Sequence, residues 1–132
     1  MNEYCLSLDA LIRINFDHTG NHGRVADKTV LESSLANPLQ TFDATDLYPT
    51  VIEKAAVLLH GLATTQGFVD GNKRTAWLAC VTFLGFHDIR LTPEADDYAA
   101  DVVLEVVAGT MPRADLQEWI LNHIEDSYLA TW

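Results

Sequence analysis

An all-α fold is what this sequence predicts, and three observations carry the prediction. Apolar residues recur at spacings of three and four rather than in alternation. Ser, Asp, Thr-Pro and Gly stand where such helices would start and stop. No repeat, low-complexity tract or Ser/Gly linker divides the chain, so one domain spanning residues 1–132 is expected, a bundle of about six helices around a central one. With 132 residues, 48% of them hydrophobic, the chain can bury a core without disulfides or a structural metal.

Ser7 can cap a first helix with an apolar stripe of Leu8, Leu11, Ile12 and Phe16, ending near the loop-like run Thr19-Gly20-Asn21-His22-Gly23. Asp27 can cap a second, with Val30, Leu31 and Leu35, and Asn37 before Pro38 stops it. Residues 38–47 have no clear period. Pro49 is then expected at the first position of a long third helix reaching Ala63, with Ile52, Ala55, Ala56, Leu59 and Leu62 on its core face. A polar loop, Thr64-Thr65-Gln66-Gly67, leads through Phe68, the loop's apolar anchor, to Asp70-Gly71-Asn72, which has the composition of a helix start. The fourth helix carries Ala76, Trp77, Ala79, Cys80, Phe83 and Leu84. It is apolar on most of its circumference, so it is expected to be the buried, central one. After Gly85 and His87-Asp88, Ile89–Leu91 is expected to be briefly extended, and Thr92-Pro93-Glu94 opens a fifth helix closed by Gly109. Its stripe is Tyr98, Val102, Val103, Val106 and Val107. A sixth helix follows with Leu116, Trp119, Ile120 and Ile124, and the tail beyond Ser127 is expected to fray.

Eight Lys and Arg against nineteen Asp and Glu give a net charge of −11, a field that repels nucleic acid and anionic lipid. Direct nucleic-acid binding and a membrane role are therefore not expected, and no apolar run reaches the ~18 residues of a membrane span. Cys5 and Cys80 lie in apolar helical patterns without a CxxC pair or secretory segment, which fits buried thiols in a reducing cytoplasm. His18 and His22 are four apart but fall in the first loop, so a metal pair is not expected there. His60 reads as a half-buried residue of the third helix.

In so acidic a chain, a phosphate site needs a local concentration of positive charge, and Phe68-Val69-Asp70-Gly71-Asn72-Lys73-Arg74 provides one. A helix N-terminus offers unpaired amides and the positive end of a dipole, Lys73 and Arg74 add two charges, and Asp70 is a hard oxygen ligand for a magnesium ion bridging phosphates. On the simpler view, Asp70 or Asn72 merely caps the helix and the cations are solvated. Cations in a first turn oppose the dipole, however, and that placement favours an anion partner.

The same run, continued through Thr75-Ala76, resembles the signature loop of the Fic/Doc family, in particular its Doc (death-on-curing) toxin branch. Leu31-Glu32-Ser33 before Pro38, Asp46-Leu47-Tyr48-Pro49-Thr50 and Glu53-Lys54-Ala55-Ala56 resemble the segments ahead of that loop. The resemblance implies an all-helical fold with nucleotide chemistry at the loop. Fic proteins usually have glycine at the position of Lys73 and arginine at that of Trp77, and transfer AMP; Doc-type proteins resemble this chain at Lys73 and transfer the γ-phosphate of ATP to a threonine of elongation factor Tu, blocking translation. Carried over, Asp70 would hold magnesium, Gly71 and Asn72 would shape the anion cradle, and Lys73 with Arg74 would grip ATP. Residues 38–47 resemble the flap that holds the target, and the partner implied is a Phd-like antitoxin with a flexible inhibitory segment.

One position departs from the pattern. The family's general-base histidine is here Gln66, whose amide can orient a hydroxyl but cannot take its proton. The resemblance thus implies a kinase toxin impaired in this form, with a Fic-type AMP transferase and a non-catalytic antitoxin-binding module as the alternatives. A natural loss of activity and a substitution that lets a host produce a growth-arresting protein both yield such a glutamine; the intact surroundings favour the second.

Overall fold

A computed structural model describes residues 3–20 and 23–125; His22 and the tail beyond Ser127 lie outside them. The described residues form α1 (Leu8–Thr19), α2 (Lys28–Ala36), a 3₁₀ turn (Asn37–Leu39), a hairpin of β1 (Thr41–Phe42) and β2 (Thr45–Asp46), α3 (Val51–Ala63), α4 (Asn72–Phe86), α5 (Pro93–Ala108) and α6 (Arg113–Leu121). The fold is all-α apart from that hairpin. None of these helices is long and apolar enough to cross a membrane.

α4 is the central helix. Thr75, Ala76, Trp77, Ala79, Cys80, Phe83 and Leu84 are all buried on it, and it packs against α1, α3 and α5. Each large side chain buried this way contributes roughly 1.5–3 kcal/mol. Trp77 meets Trp119 of α6 edge to face, with centroids 6.0 Å apart, so the last helix is seated on the first turns of the central one.

Where the start signals are side-chain caps, they act as expected: Ser7, Asp27 and Thr92 each accept a backbone N–H of their own first turn. α3 differs. Its cap is Thr50, whose hydroxyl accepts from Glu53 N at 3.1 Å and donates to Glu53 Oε1 at 3.0 Å, which leaves Pro49 outside the helix. Residues 41–46, which lack a helical period, pair as the hairpin, with Asp43 and Ala44 both at positive φ in the turn. Lys54 bonds Asp46 at 3.2 Å and the carbonyl of Tyr48, tying the hairpin's second strand to the first turn of α3.

Four expectations about faces need correction. On α5 the buried positions are Ala95, Ala99, Val102, Val103 and Val106; Tyr98 and Val107 are 50% and 41% exposed because they sit one step around the helix from that seam. Phe16 is likewise at the rim of α1, where the buried position one turn beyond Leu11 is Asn15. α6 ends at Leu121, and Ile124 instead forms a bridge with Leu91, which makes the Ile89–Leu91 stretch part of a short antiparallel contact. Cys5 belongs to the bend before α1, not to a helix.

Burial pushes both the Cys80 and Cys5 thiols up to about 12. Cys80 is fully buried, and its folded-state pKa lies above that of the unfolded chain, so the stability it contributes is complete below pH ~8.5 and drains away as pH rises towards 12, by up to about 1.4 kcal/mol per unit. Urea titrations at pH 8, 9 and 10 should show this decline, and Cys80→Ala should make it shallower, with Cys5 accounting for what remains.

Candidate active site

The loop between α3 and α4 is assembled from three directions. Its own closure comes from Asn72: Nδ2 donates to Phe68 O and Oδ1 accepts from Phe68 N, both at 2.9 Å, so a single amide side chain reproduces a pair of strand-like bonds across the turn. Phe68 is 2% exposed and pins the loop to the core. From the α1–α2 side, Val69 N donates to Arg24 O, while Gly67 O accepts from Ala26 N and Asp27 N. Gly67 is required by proximity, since a Cβ there would lie 2.2 Å from Leu31 Cδ2.

The third support rises from α1. Asn15, 1% exposed, donates through Nδ2 to Asp70 O at 2.8 Å and to Thr75 Oγ1 at 3.1 Å, so a buried amide fixes the carbonyl just ahead of α4. Thr19 Oγ1 in turn donates to Asn15 O at 2.8 Å. Composition alone does not reveal Asn15, but a polar residue at the seventh step of the Leu8, Leu11, Ile12 stripe is the signal that marks it. His18, expected in a loop, lies in the last turn of α1. Its Nδ1 donates to Ile14 O at 3.0 Å, and its buried Nε2, with no hydrogen-bond partner among the described residues, faces Gly71.

Gly71, rather than Asp70 or Asn72, is the residue that caps α4, and it does so without a side chain, in the left-handed conformation at φ 76°. The first helical bond is Thr75 N to Gly71 O at 2.9 Å. The amides of Asn72, Lys73 and Arg74 precede it and have no side-chain cap, and the first turn carries no acid. Lys73 and Arg74 are exposed, and among the described residues neither takes part in an ion pair. Two uncompensated cations thus reinforce the positive end of the dipole.

Gln66, Asp70, Gly71, Asn72 and Lys73 line one cleft of about 350 Å³, to which α5 contributes Val107. Arg74 is not among its lining and opens instead onto a neighbouring cleft that also includes Lys73. His60 is half-buried and does not line the loop cleft.

Residues 5–84, which take in everything from α1 through most of α4, match the family described as Fic/DOC. The chain belongs to the Fic/DOC family. It is 42% identical over 88 residues to the Toxin Doc of Mycolicibacterium smegmatis (strain ATCC 700084 / mc(2)155), an alignment covering 66% of this chain and 68% of that protein. Within the Fic/DOC family the similarity therefore lies with the Doc branch. α5 and α6 lie beyond residues 5–84.

A nucleoside triphosphate with magnesium fits the donor set at this loop. Helix-start amides without a side-chain cap and two cations without an ion-pair partner among the described residues suit phosphate oxygens. Among the described residues no three metal-ligating side chains converge, so Asp70 would share a magnesium ion with the phosphates rather than hold it in a protein cage.

Proposed function

We propose that this chain is a Doc-type toxin of a toxin–antitoxin system, a cytoplasmic protein kinase that transfers the γ-phosphate of ATP to a threonine of elongation factor Tu, and that it is impaired in this form by Gln66. The observation that carries the reading is the common cleft: the residue at the base position, the acid and the cationic helix start line one space beside a left-handed glycine.

In this reading the helix-start amides and Lys73 hold the phosphates, Arg74 neutralises them from the adjoining side, and Asp70 contributes an oxygen to magnesium. Bound magnesium would spread the negative charge of the phosphates and ease departure of the diphosphate. The acceptor hydroxyl forms a new O–P bond as the bond from the γ-phosphorus to the bridging oxygen breaks, and its proton must leave. Gln66 can accept a hydrogen bond from that hydroxyl and orient it, but it cannot carry the proton away. The hairpin at Thr41–Asp46, secured through Lys54, would hold the target segment. A Phd-like antitoxin would act by folding a flexible segment over the toxin.

Label position tests the reaction. With Gln66→His, ATP labelled at the γ-phosphate should mark elongation factor Tu. Transfer of α-label instead would identify a Fic-type AMP transferase, and no transfer from either would leave an antitoxin-binding module.

A further inference from the structure

The hairpin between the 3₁₀ turn and α3 stands clear of the helices. Every residue from Thr41 to Leu47 is exposed, Phe42 by 76%. Two strand pairs, closed by Leu47 N donating to Gln40 O, are too few to hold such a ribbon by themselves. Its position relative to the helices is therefore set at its two roots. One root is the 3₁₀ turn with buried Pro38. The other is the half-buried Tyr48, whose carbonyl accepts from Lys54 Nζ of α3.

Tyr48 has a second partner, 65 residues further along the chain. The guanidinium of Arg113, the first residue of α6, lies over its ring with Cζ 4.8 Å from the centroid, and Nη1 stands 3.4 Å from the phenol oxygen. A cation in the first turn of a helix opposes the dipole, and Arg113 has no ion-pair partner among the described residues; the electron-rich ring of Tyr48 is the partner its charge has there. α6 is itself well seated, with Leu116 and Ile120 buried and Trp119 against Trp77 of the central helix. The root is thus tied through its carbonyl to α3 and through its ring to α6. We propose that Arg113 is a positioning residue for the target: acting through Tyr48, it holds the hairpin where the acceptor segment must lie. This rests on the kinase reading above, in which the hairpin holds the target. A hairpin braced beforehand loses less freedom on binding than a loose one, so the pair acts on target affinity and leaves the nucleotide site and the transfer step alone.

Two measurements test this: hydrogen exchange at the Leu47 amide of the chain as it stands, and steady-state transfer to elongation factor Tu by the Gln66→His form. Arg113→Ala and Tyr48→Leu should each speed Leu47 exchange about two- to fivefold, with circular dichroism and exchange within α4 unchanged. The double variant should be no faster than either single one, because both remove the same contact. Tyr48→Phe keeps the ring and should match the parent. In the transfer assay Arg113→Ala should raise the KM for the target by a similar factor, at unchanged kcat and unchanged KM for ATP. Parent-like exchange in folded Arg113→Ala, or effects that multiply in the double variant, would overturn the inference and leave the kinase reading standing. Faster exchange with an unchanged target KM would overturn it as well. No transfer at all by Gln66→His would instead bring down the kinase reading, and the positioning role with it.

Discussion

Inducing the Gln66→His variant should arrest a bacterial host that tolerates the chain as it stands. An imidazole at position 66 would line the loop cleft beside Asp70 and Lys73, and it is the side chain that exchanges a proton near pH 7. General-base assistance of this kind is worth about a hundredfold to ten-thousandfold in rate, enough to separate growth from arrest for an enzyme acting on an essential factor. Arrest should disappear again when Lys73→Ala or Arg74→Ala is added, because each removes a charge-assisted bond to phosphate, and supplying the cognate antitoxin should relieve it. Arg74→Ala should barely alter the unfolding midpoint, since the side chain is exposed and has no ion-pair partner among the described residues. A folded, abundant and harmless histidine variant would show that the missing base is not what silences the protein. If the parent itself arrested growth, another group would be taking the proton, and Asp70, which lines the same cleft, would be the position to change next.

The second large effect is expected at Gly71→Ala. The new methyl would lie 2.4 Å from Thr19 Cγ2, 2.8 Å from His18 Nε2 and 3.3 Å from Asn15 Nδ2, at a residue whose φ is 76°. A left-handed non-glycine residue costs roughly 1–2 kcal/mol. Overpacking a filled site adds roughly 1–3 kcal/mol, and here the obstacle includes the amide that holds Asp70 O. Gly20→Ala separates the two contributions, because Gly20 is also left-handed, at φ 67°, yet a methyl added there would meet nothing within 4 Å among the described residues. Chemical denaturation should therefore show a loss of roughly 1–2 kcal/mol at Gly20 and a clearly larger one at Gly71. Hydrogen exchange should further show the α4 start opening in Gly71→Ala alone. Equal losses at the two glycines would mean that α1 yields freely and does not brace the loop.

The sequence alone determined those features whose causes lie within a turn or two of chain. Ser7, Asp27 and Thr92 cap the helices they precede because a side-chain oxygen reaches the amide three residues on, and Gly109 closes α5 at φ 80° because glycine tolerates that conformation. α4 reads as central because its apolar residues encircle it, and the loop before it reads as an anion site because cations stand where a helix start would otherwise attract acids. Thr50 shows the limit even of local signals: Pro49 points to itself as the first helical residue, whereas the hydroxyl of Thr50 caps the helix and starts it at Val51.

Tertiary structure decided everything that depends on which elements meet. Asn15 supports Asp70 across 55 residues of sequence, and only the packing of α1 on α4 brings them together. The same packing turns His18 from a loop residue into one that faces Gly71. Tyr98 and Val107 belong to the apolar pattern of α5, but packing buries one edge of that pattern and leaves these two on the open edge, with Val107 at the loop cleft. Lys73 and Arg74 are adjacent in sequence, yet the turn of about 100° between them gives the two residues different surroundings, one shared by both clefts and one confined to the apolar side. Helical periodicity states which residues share a face; what that face meets is fixed by contacts between distant segments, which a single chain does not display until it is packed.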